Sequence, residues 1–359
     1  MGITCGVVGL PNVGKSTLFN ALTAAGVAAD NYPFSTIEPH TGIALVPDPR
    51  LDRVADIVQP ERRIPAAVEF VDIAGLVAGA HAGEGLGNRF LHHIRETDAI
   101  AHVVRCFEDS NVAHVAGTID PIADIGTVNT ELVLADLETV DRALEKTERR
   151  ARAGERDAQT AAMALAAVRD HLDRGDPIRT LEDIPALPDV FLLTAKPVMY
   201  VANVAEDGLD DNPLADRVRD LADREGAGFV LIAAELEAEL MTLEGADRIE
   251  MLAAYGIAKP GLDRVIHAAY DLLDLITFFT FTTVEARAWP VARGTTAPRA
   301  AGRIHTDFER GFIRADVVHY DDFVTHGGEL GAREAGMWRT EGRDYVVQDG
   351  DVVYFRFNV

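Results

Sequence analysis

Lysine is nearly missing from this chain. Only Lys15, Lys146, Lys196 and Lys259 occur, among 34 basic residues in all. Acidic residues number 58, so the formal net charge is −24. An acidic excess of this size keeps a surface soluble and excludes a general, whole-surface nucleic-acid binder, although it leaves room for one basic patch. Cysteine is scarce too. Cys5 and Cys106 both fall in predicted buried strands, which excludes a disulfide framework and reads as free core thiols in a reducing compartment. Long apolar runs are absent: none reaches the roughly 18 residues of a membrane-spanning helix. The N-terminus leads straight into a strand, without the basic and apolar segments of a secretory signal. The expectation is a cytoplasmic protein with no membrane partner. Its 359 residues, 48% hydrophobic, suffice for two or three domains with real cores.

What is present begins at Gly9-Leu10-Pro11-Asn12-Val13-Gly14-Lys15-Ser16. The apolar run Ile3 to Val8 precedes it and a helix-like run, Thr17 to Ala25, follows. A strand, a glycine-bounded turn and a helix form the setting of a phosphate-binding loop. Gly9 and Gly14 permit a tight turn whose amides face phosphate oxygens. The next helix contributes its open N-terminal amides and positive dipole end. Lys15 supplies a mobile charge for the outer phosphates, and the Ser16 hydroxyl suits Mg²⁺. Asn12 to Thr17 are therefore the predicted phosphate contacts.

Two further loops fit a nucleotide switch. The segment 30–42 carries two prolines and several hydroxyls, so it reads as a loop. A threonine there should reach Mg²⁺ and the terminal phosphate. Thr36 is the choice, with Ser35 and Thr41 as alternatives. The strand Ala66 to Val71 leads into Asp72-Ile73-Ala74-Gly75. Asp72 is placed to hold Mg²⁺ through water, and the Gly75 amide to meet the terminal phosphate. Where many switch hydrolases place a water-orienting glutamine, this chain has Leu76, which cannot polarise water. Backbone groups, Thr36, a bound cation or His81 are the candidates for that task, although His81 reads first as a surface-loop histidine.

A base-reading loop is expected after the strand Pro197 to Ala202. The common guanine reader is Asn-Lys-x-Asp, but here the residues are Asn203-Val204-Ala205-Glu206. The extra methylene of Glu206 moves the carboxylate away from guanine's paired donors. A mismatched hydrogen-bond pattern costs selectivity, while Asn203 can both donate to and accept from an adenine edge. ATP is predicted over GTP. Ala234 and Glu235 stand where a backbone amide usually completes the pocket.

Between these loops, 109–127 reads as a long loop. Residues 129–150 and 161–172 show helical apolar spacing and predict an antiparallel hairpin, turning at 151–159. The segment 261–277 reads as the helix that ends the nucleotide domain. Beyond it come short alternating strands of a small β-grasp module. Arg287, Arg293, Arg299, Arg303, Arg310 and Arg314 gather there with Trp289, Phe312, Tyr320 and Tyr354. They read either as an RNA surface or as a solvated face paired with acids.

Taken together, these motifs resemble the Obg-like ATPase family known as YchF. The resemblance spans essentially the whole chain. It includes 9–16, 31–39, Asp72 to Val77, Gly83 to Asn88, Asn203 to Glu206 and Glu235 to Glu239. It continues through the C-terminal stretches 294–298, 301–308 and 344–351, which look like a TGS domain. It implies an α/β, Ras-like P-loop nucleotide hydrolase domain (1–127 and 190–276), an inserted antiparallel helical hairpin (128–189) and a C-terminal α+β β-grasp, or TGS, domain (277–359). It also implies ATP hydrolysis with Mg²⁺ and association with the ribosome and its rRNA, chiefly on the large subunit. Members carry a hydrophobic residue in place of the catalytic glutamine, as Leu76 does. Asn12 matches an asparagine that helps hold K⁺ in related potassium-stimulated hydrolases. One departure is Ala233-Ala234, where a Ser-Ala pair is usual. A monomer is expected, since nothing demands a dimer. The competing reading is a ribosome- or RNA-binding module in which nucleotide is a regulatory ligand and hydrolysis is incidental.

Overall fold

The computed structural model describes residues 3–25, 40–73, 86–109, 118–185, 187, 189–243, 245–257 and 259–358. Ser35, Thr36, Gly75, Leu76 and His81 lie outside the described residues. Along the chain run β1 (Thr4–Val8), α1 (Lys15–Ala25), β2 (Thr41–Leu45), α2 (Pro49–Val58), β3 (Arg62–Ile64), β4 (Ala67–Asp72), α3 (Leu86–Glu96) and β5 (Ala99–Arg105). Next come α4 (Pro121–Arg152), α5 (Arg156–Asp173), β6 (Val198–Asn203), α6 (Pro213–Glu225), β7 (Gly228–Ile232), α7 (Ala234–Leu240), α8 (Gly245–Ala254) and α9 (Gly261–Leu272). The last stretch holds β8 (Leu275–Phe281), β9 (Glu285–Ala292), α10 (Ala297–Ile304), α11 (Thr306–Arg310), β10 (Phe312–His319), α12 (Tyr320–Thr325), α13 (Glu329–Glu334), β11 (Arg339–Glu341) and β12 (Asp351–Phe357).

Two compact units emerge. Among the described residues, the first takes in 3–25, 40–42 and those of 69–272, and the second takes in 43–68 and those of 273–358. The first is built on a sheet in the order β2-β4-β1-β5-β6-β7. The β4-β1, β1-β5, β5-β6 and β6-β7 pairs are all parallel. Parallel strands need both faces covered, and β1, β5 and β6 are accordingly buried almost throughout. On α1, Leu18, Phe19 and Leu22 are buried, as their helical spacing predicts. Register aligns Val7 with Asp72 and Arg105 with Asn203. The carboxyl ends of β1, β4 and β6 therefore share one edge, where open α/β sheets bind ligands.

The hairpin is longer than the spacing predicts. Helix α4 begins at Pro121, inside a stretch expected to be loop. Asp120 is its cap, accepting from the amides of Ile122 and Ala123. Pro121 then occupies the first turn, where proline is tolerated, so a residue that looks like a breaker is a start signal. Helices α4 and α5 bury Val133, Val140, Leu165, Val168 and Leu172 with Ile178 and Leu192. The turn between them occupies only 153–155, and so short a connection makes them antiparallel neighbours. The buried Asp136 carboxylate accepts from the amides of Leu193 and Thr194 and from the Thr194 hydroxyl, which ties α4 to the returning chain.

A second expectation also fails at its boundary. The helix read over 261–277 stops at Leu272. Asp274 takes φ +47, a left-handed conformation no helix can continue through, and β8 starts at Leu275. The amide start of α9 is capped by the buried Glu237, which accepts from Gly261 and Leu262.

The second unit carries a mixed sheet in the order β11-β10-β12-β8-β9-β3. Strand β3, short and not foreseen from the sequence, pairs in parallel with β9 through Arg62↔Glu285 to Ile64↔Arg287. The core gathers Ile276, Phe278, Trp289, Phe312, Val317 and Phe355. Arg50 on α2 pairs with Asp48 and Asp349. Of the arginine group, Arg293 pairs with Asp274 and Arg314 with Asp316, while Arg287 lies over the Trp289 ring at 4.0 Å.

Candidate nucleotide-binding site

The phosphate-binding turn joins β1 to α1. Gly9 stands where a Cβ would meet the Val103 carbonyl at 2.7 Å and the Val13 side chain at 2.9 Å. Gly14 takes φ +89, and a Cβ there would collide with the Asn203 amide nitrogen. Neither position tolerates a side chain. Helix α1 makes its first internal bond from the Leu18 amide to the Gly14 carbonyl at 3.0 Å. The amides of Lys15, Ser16 and Thr17 thus have no partner within the helix, which makes them donors for an anion at its N-terminus. Asn12 and Ser16 are exposed and Lys15 is buried. Asn12 adopts φ +64, an uncommon conformation that asparagine tolerates better than most residues.

Asp72 closes β4 beside this turn. Its carboxylate accepts from the Lys15 ammonium group. Its amide donates to the His40 carbonyl at 2.7 Å, just before β2. The lysine and the aspartate named from sequence are thus brought into direct contact. Thr41, an alternative to Thr36, is the first residue of β2.

Asn203 has a more committed position than the sequence implies. It is buried at the end of β6. Its amide nitrogen donates to the Val13 carbonyl at 2.9 Å, and its amide oxygen accepts from the Ala234 amide at 2.9 Å. One side chain therefore ties the phosphate turn to the start of α7, which has no local side-chain cap. The donor and acceptor expected to meet a purine edge are engaged inside the protein. Val204 is buried, and its amide donates to Ile232. Glu206 and Glu235 are exposed, so Glu206 is the polar side chain of this loop that lies open to a ligand. Sequence reasoning missed Tyr255, whose hydroxyl donates to Glu206 at 3.0 Å. Its only sequence signal is an aromatic beside Gly256, and that says nothing about where the ring lands.

The donor set fits Mg²⁺. A serine hydroxyl and one carboxylate are hard oxygen ligands, and Mg²⁺ usually takes one or two carboxylates plus phosphate oxygens rather than an all-protein cage. Among the described residues no group of three or more His, Cys, Asp or Glu could hold a metal.

A sheet with five neighbouring parallel strands, a Gly-Lys-Ser turn after its first strand and an aspartate at the end of the neighbouring strand define a P-loop nucleoside-triphosphate hydrolase. Comparison with known proteins narrows the class. A family described as "50S ribosome-binding GTPase" matches residues 4–150, and the C-terminal family YchF-GTPase_C, described as a protein of unknown function, matches 275–358. The chain is 57% identical to the "Ribosome-binding ATPase YchF" of Haemophilus ducreyi and 49% identical to that of Bacillus subtilis, covering 100% of both chains in each case. The solved structure of the Schizosaccharomyces pombe YchF GTPase superimposes with a TM-score of 0.88 at 35% identity, over 99% of this chain and 98% of that one. This chain belongs to the YchF family.

Proposed function

We propose that this protein hydrolyses ATP, in preference to GTP, to ADP and phosphate, and that it acts as a nucleotide switch on the ribosome. The contact between Lys15 and Asp72 is the observation that carries the reading, because it gathers the phosphate charge and the cation carboxylate at one end of the sheet. Taking up a triphosphate exchanges this ion pair for two new ones. The ammonium group moves to the outer phosphates, and the carboxylate is released to a hydrated cation. Mg²⁺, when bound with the nucleotide at Ser16, Thr36 and Asp72, supplies charge neutralisation at the outer phosphates. Lys15 and the amides of residues 13–17 stabilise the negative charge that develops as water attacks the terminal phosphorus and its bond to the bridging oxygen breaks.

The remaining roles follow the sequence. The Gly75 amide senses the terminal phosphate, and His81 is a candidate for orienting water in place of the absent glutamine. Val204, Glu206, Ala234 and Glu235 border the base, and Asn203 positions them. Asn12 is a candidate ligand for K⁺. The relatives named for ribosome binding and the family described as 50S ribosome-binding support association with the large subunit; we assign the contact there to rRNA and the protein to the cytoplasm as a monomer. No helix among the described residues is long and apolar enough to cross a membrane. The test is ATP hydrolysis by the purified protein and by Lys15→Ala. A normal rate in the variant overturns the assignment. Titration with ATP and GTP at equal Mg²⁺ checks the base preference, and stronger GTP binding refutes it.

A further inference from the structure

We propose that Tyr255 sets the base preference of this site by bonding Oε2 of Glu206 and fixing the rotation of its carboxylate, so that one oxygen, not both, is turned to the purine edge. The inference rests on the reading of Glu206 as the residue that faces the base. Both groups are exposed, and they lie 49 residues apart in sequence.

The tyrosine is held in place by its backbone. It follows the last residue of α8. The Gly256 amide donates to the Ala253 carbonyl at 3.1 Å and the Ile257 amide to Leu252 at 2.9 Å, with Gly256 at φ +66. These two bonds form a Schellman closure, which fixes the residue before the glycine and aims its side chain. The phenol donates to Oε2 of Glu206 at 3.0 Å. That hydrogen bond, followed by the charge of Glu206, raises the phenol pKa, so the ring stays a donor at neutral pH.

The consequence lies in counting donors and acceptors. Guanine presents N1–H and an exocyclic N–H side by side, a pair that needs both oxygens of a carboxylate. Adenine presents one exocyclic N–H beside an unprotonated N1. With Oε2 turned to the phenol, Oε1 is the oxygen presented, and it suffices for adenine. Guanine must either leave a donor unpaired or displace the tyrosine, and a built site rejects such a partner more strongly than a merely apolar one. The lengthened side chain and the phenol thus act together.

The experiment titrates ATP and GTP, each with Mg²⁺, into the full chain and its Tyr255→Phe, Glu206→Ala and doubly substituted forms. Tyr255→Phe should lower the ATP:GTP affinity ratio by roughly three- to tenfold, the worth of one hydrogen bond, mainly through tighter GTP binding. The double variant should match Glu206→Ala. If Glu206→Ala shifts the ratio and Tyr255→Phe does not, the role of Tyr255 is overturned while Glu206 keeps its role. If Glu206→Ala leaves the ratio unchanged, the underlying reading of Glu206 fails. A Tyr255→Phe shift that persists without Glu206 overturns the coupling between them.

Discussion

Replacing Asn203 with alanine should uncouple the phosphate turn from the base loop. The substitution removes the donor to Val13 and the acceptor for Ala234, both buried hydrogen bonds of 2.9 Å. An orphaned buried polar group costs about 1–3 kcal/mol. The Val13 carbonyl stays at the lower end, because a small cavity lets other donors approach. The Ala234 amide takes the larger share, since α7 has no other side-chain cap. Together they give about 2–4 kcal/mol of local destabilisation. Native-state hydrogen exchange reads this at a single site. The Ala234 amide should exchange roughly a hundredfold faster, since each 1.4 kcal/mol is about tenfold. Amides of β10 and β12 should not change. Asn203→Asp sharpens the test: one carboxylate oxygen still accepts from Ala234, but the other faces the Val13 carbonyl. Protection should therefore persist at Ala234 while nucleotide affinity falls. Equal protection of Ala234 in wild type and Asn203→Ala would refute the reasoning.

Other outcomes follow from the same contacts. Gly14→Ala meets both a left-handed backbone and the Asn203 amide, so nucleotide affinity should collapse. Its unfolding cost, measured by urea titration, should be less than additive with Asn203→Ala because the two share a contact. Burial pushes His102 down to about 3 from its ordinary 6.5, with the Arg179 charge adding to the effect. The stability of the neutral ring is whole above pH 6.5 and drains as pH falls from there toward 3. His102→Phe should flatten that part of the stability profile, and an unchanged slope in urea midpoints between pH 6.5 and 4 would count against it. Burial alone would raise the Asp349 carboxyl, but hydrogen bonds from Arg50 and then the Thr277 amide outweigh it and hold it below 3.8. Its contribution is present above that pH and is lost as pH falls through the lower folded value. Asp349→Asn should therefore lower the urea midpoint at pH 5, and the difference should shrink as pH falls below 3.8.

The candidate phosphate turn was legible in the sequence because its geometry is local. A strand, two glycines, a lysine and a serine in one short run determine the backbone path and the donors, whatever surrounds them. The hairpin was legible for a similar reason, since helical apolar spacing survives without knowledge of the partner. Its start was not, because Asp120 and Pro121 read as loop until the cap is seen. Tertiary structure alone decided where the versatile groups went. Asn203 carries donors and an acceptor that suit a purine or a backbone, and only folding shows them given to Val13, 190 residues away, and to Ala234. Lys15 and Asp72 could be named apart, but their contact depends on β1 and β4 lying side by side. Strand β3 joins β9, and Tyr255 meets Glu206, through approaches that no run of neighbours encodes. A side chain's composition states what it can bind, whereas the fold alone determines which partner comes within reach.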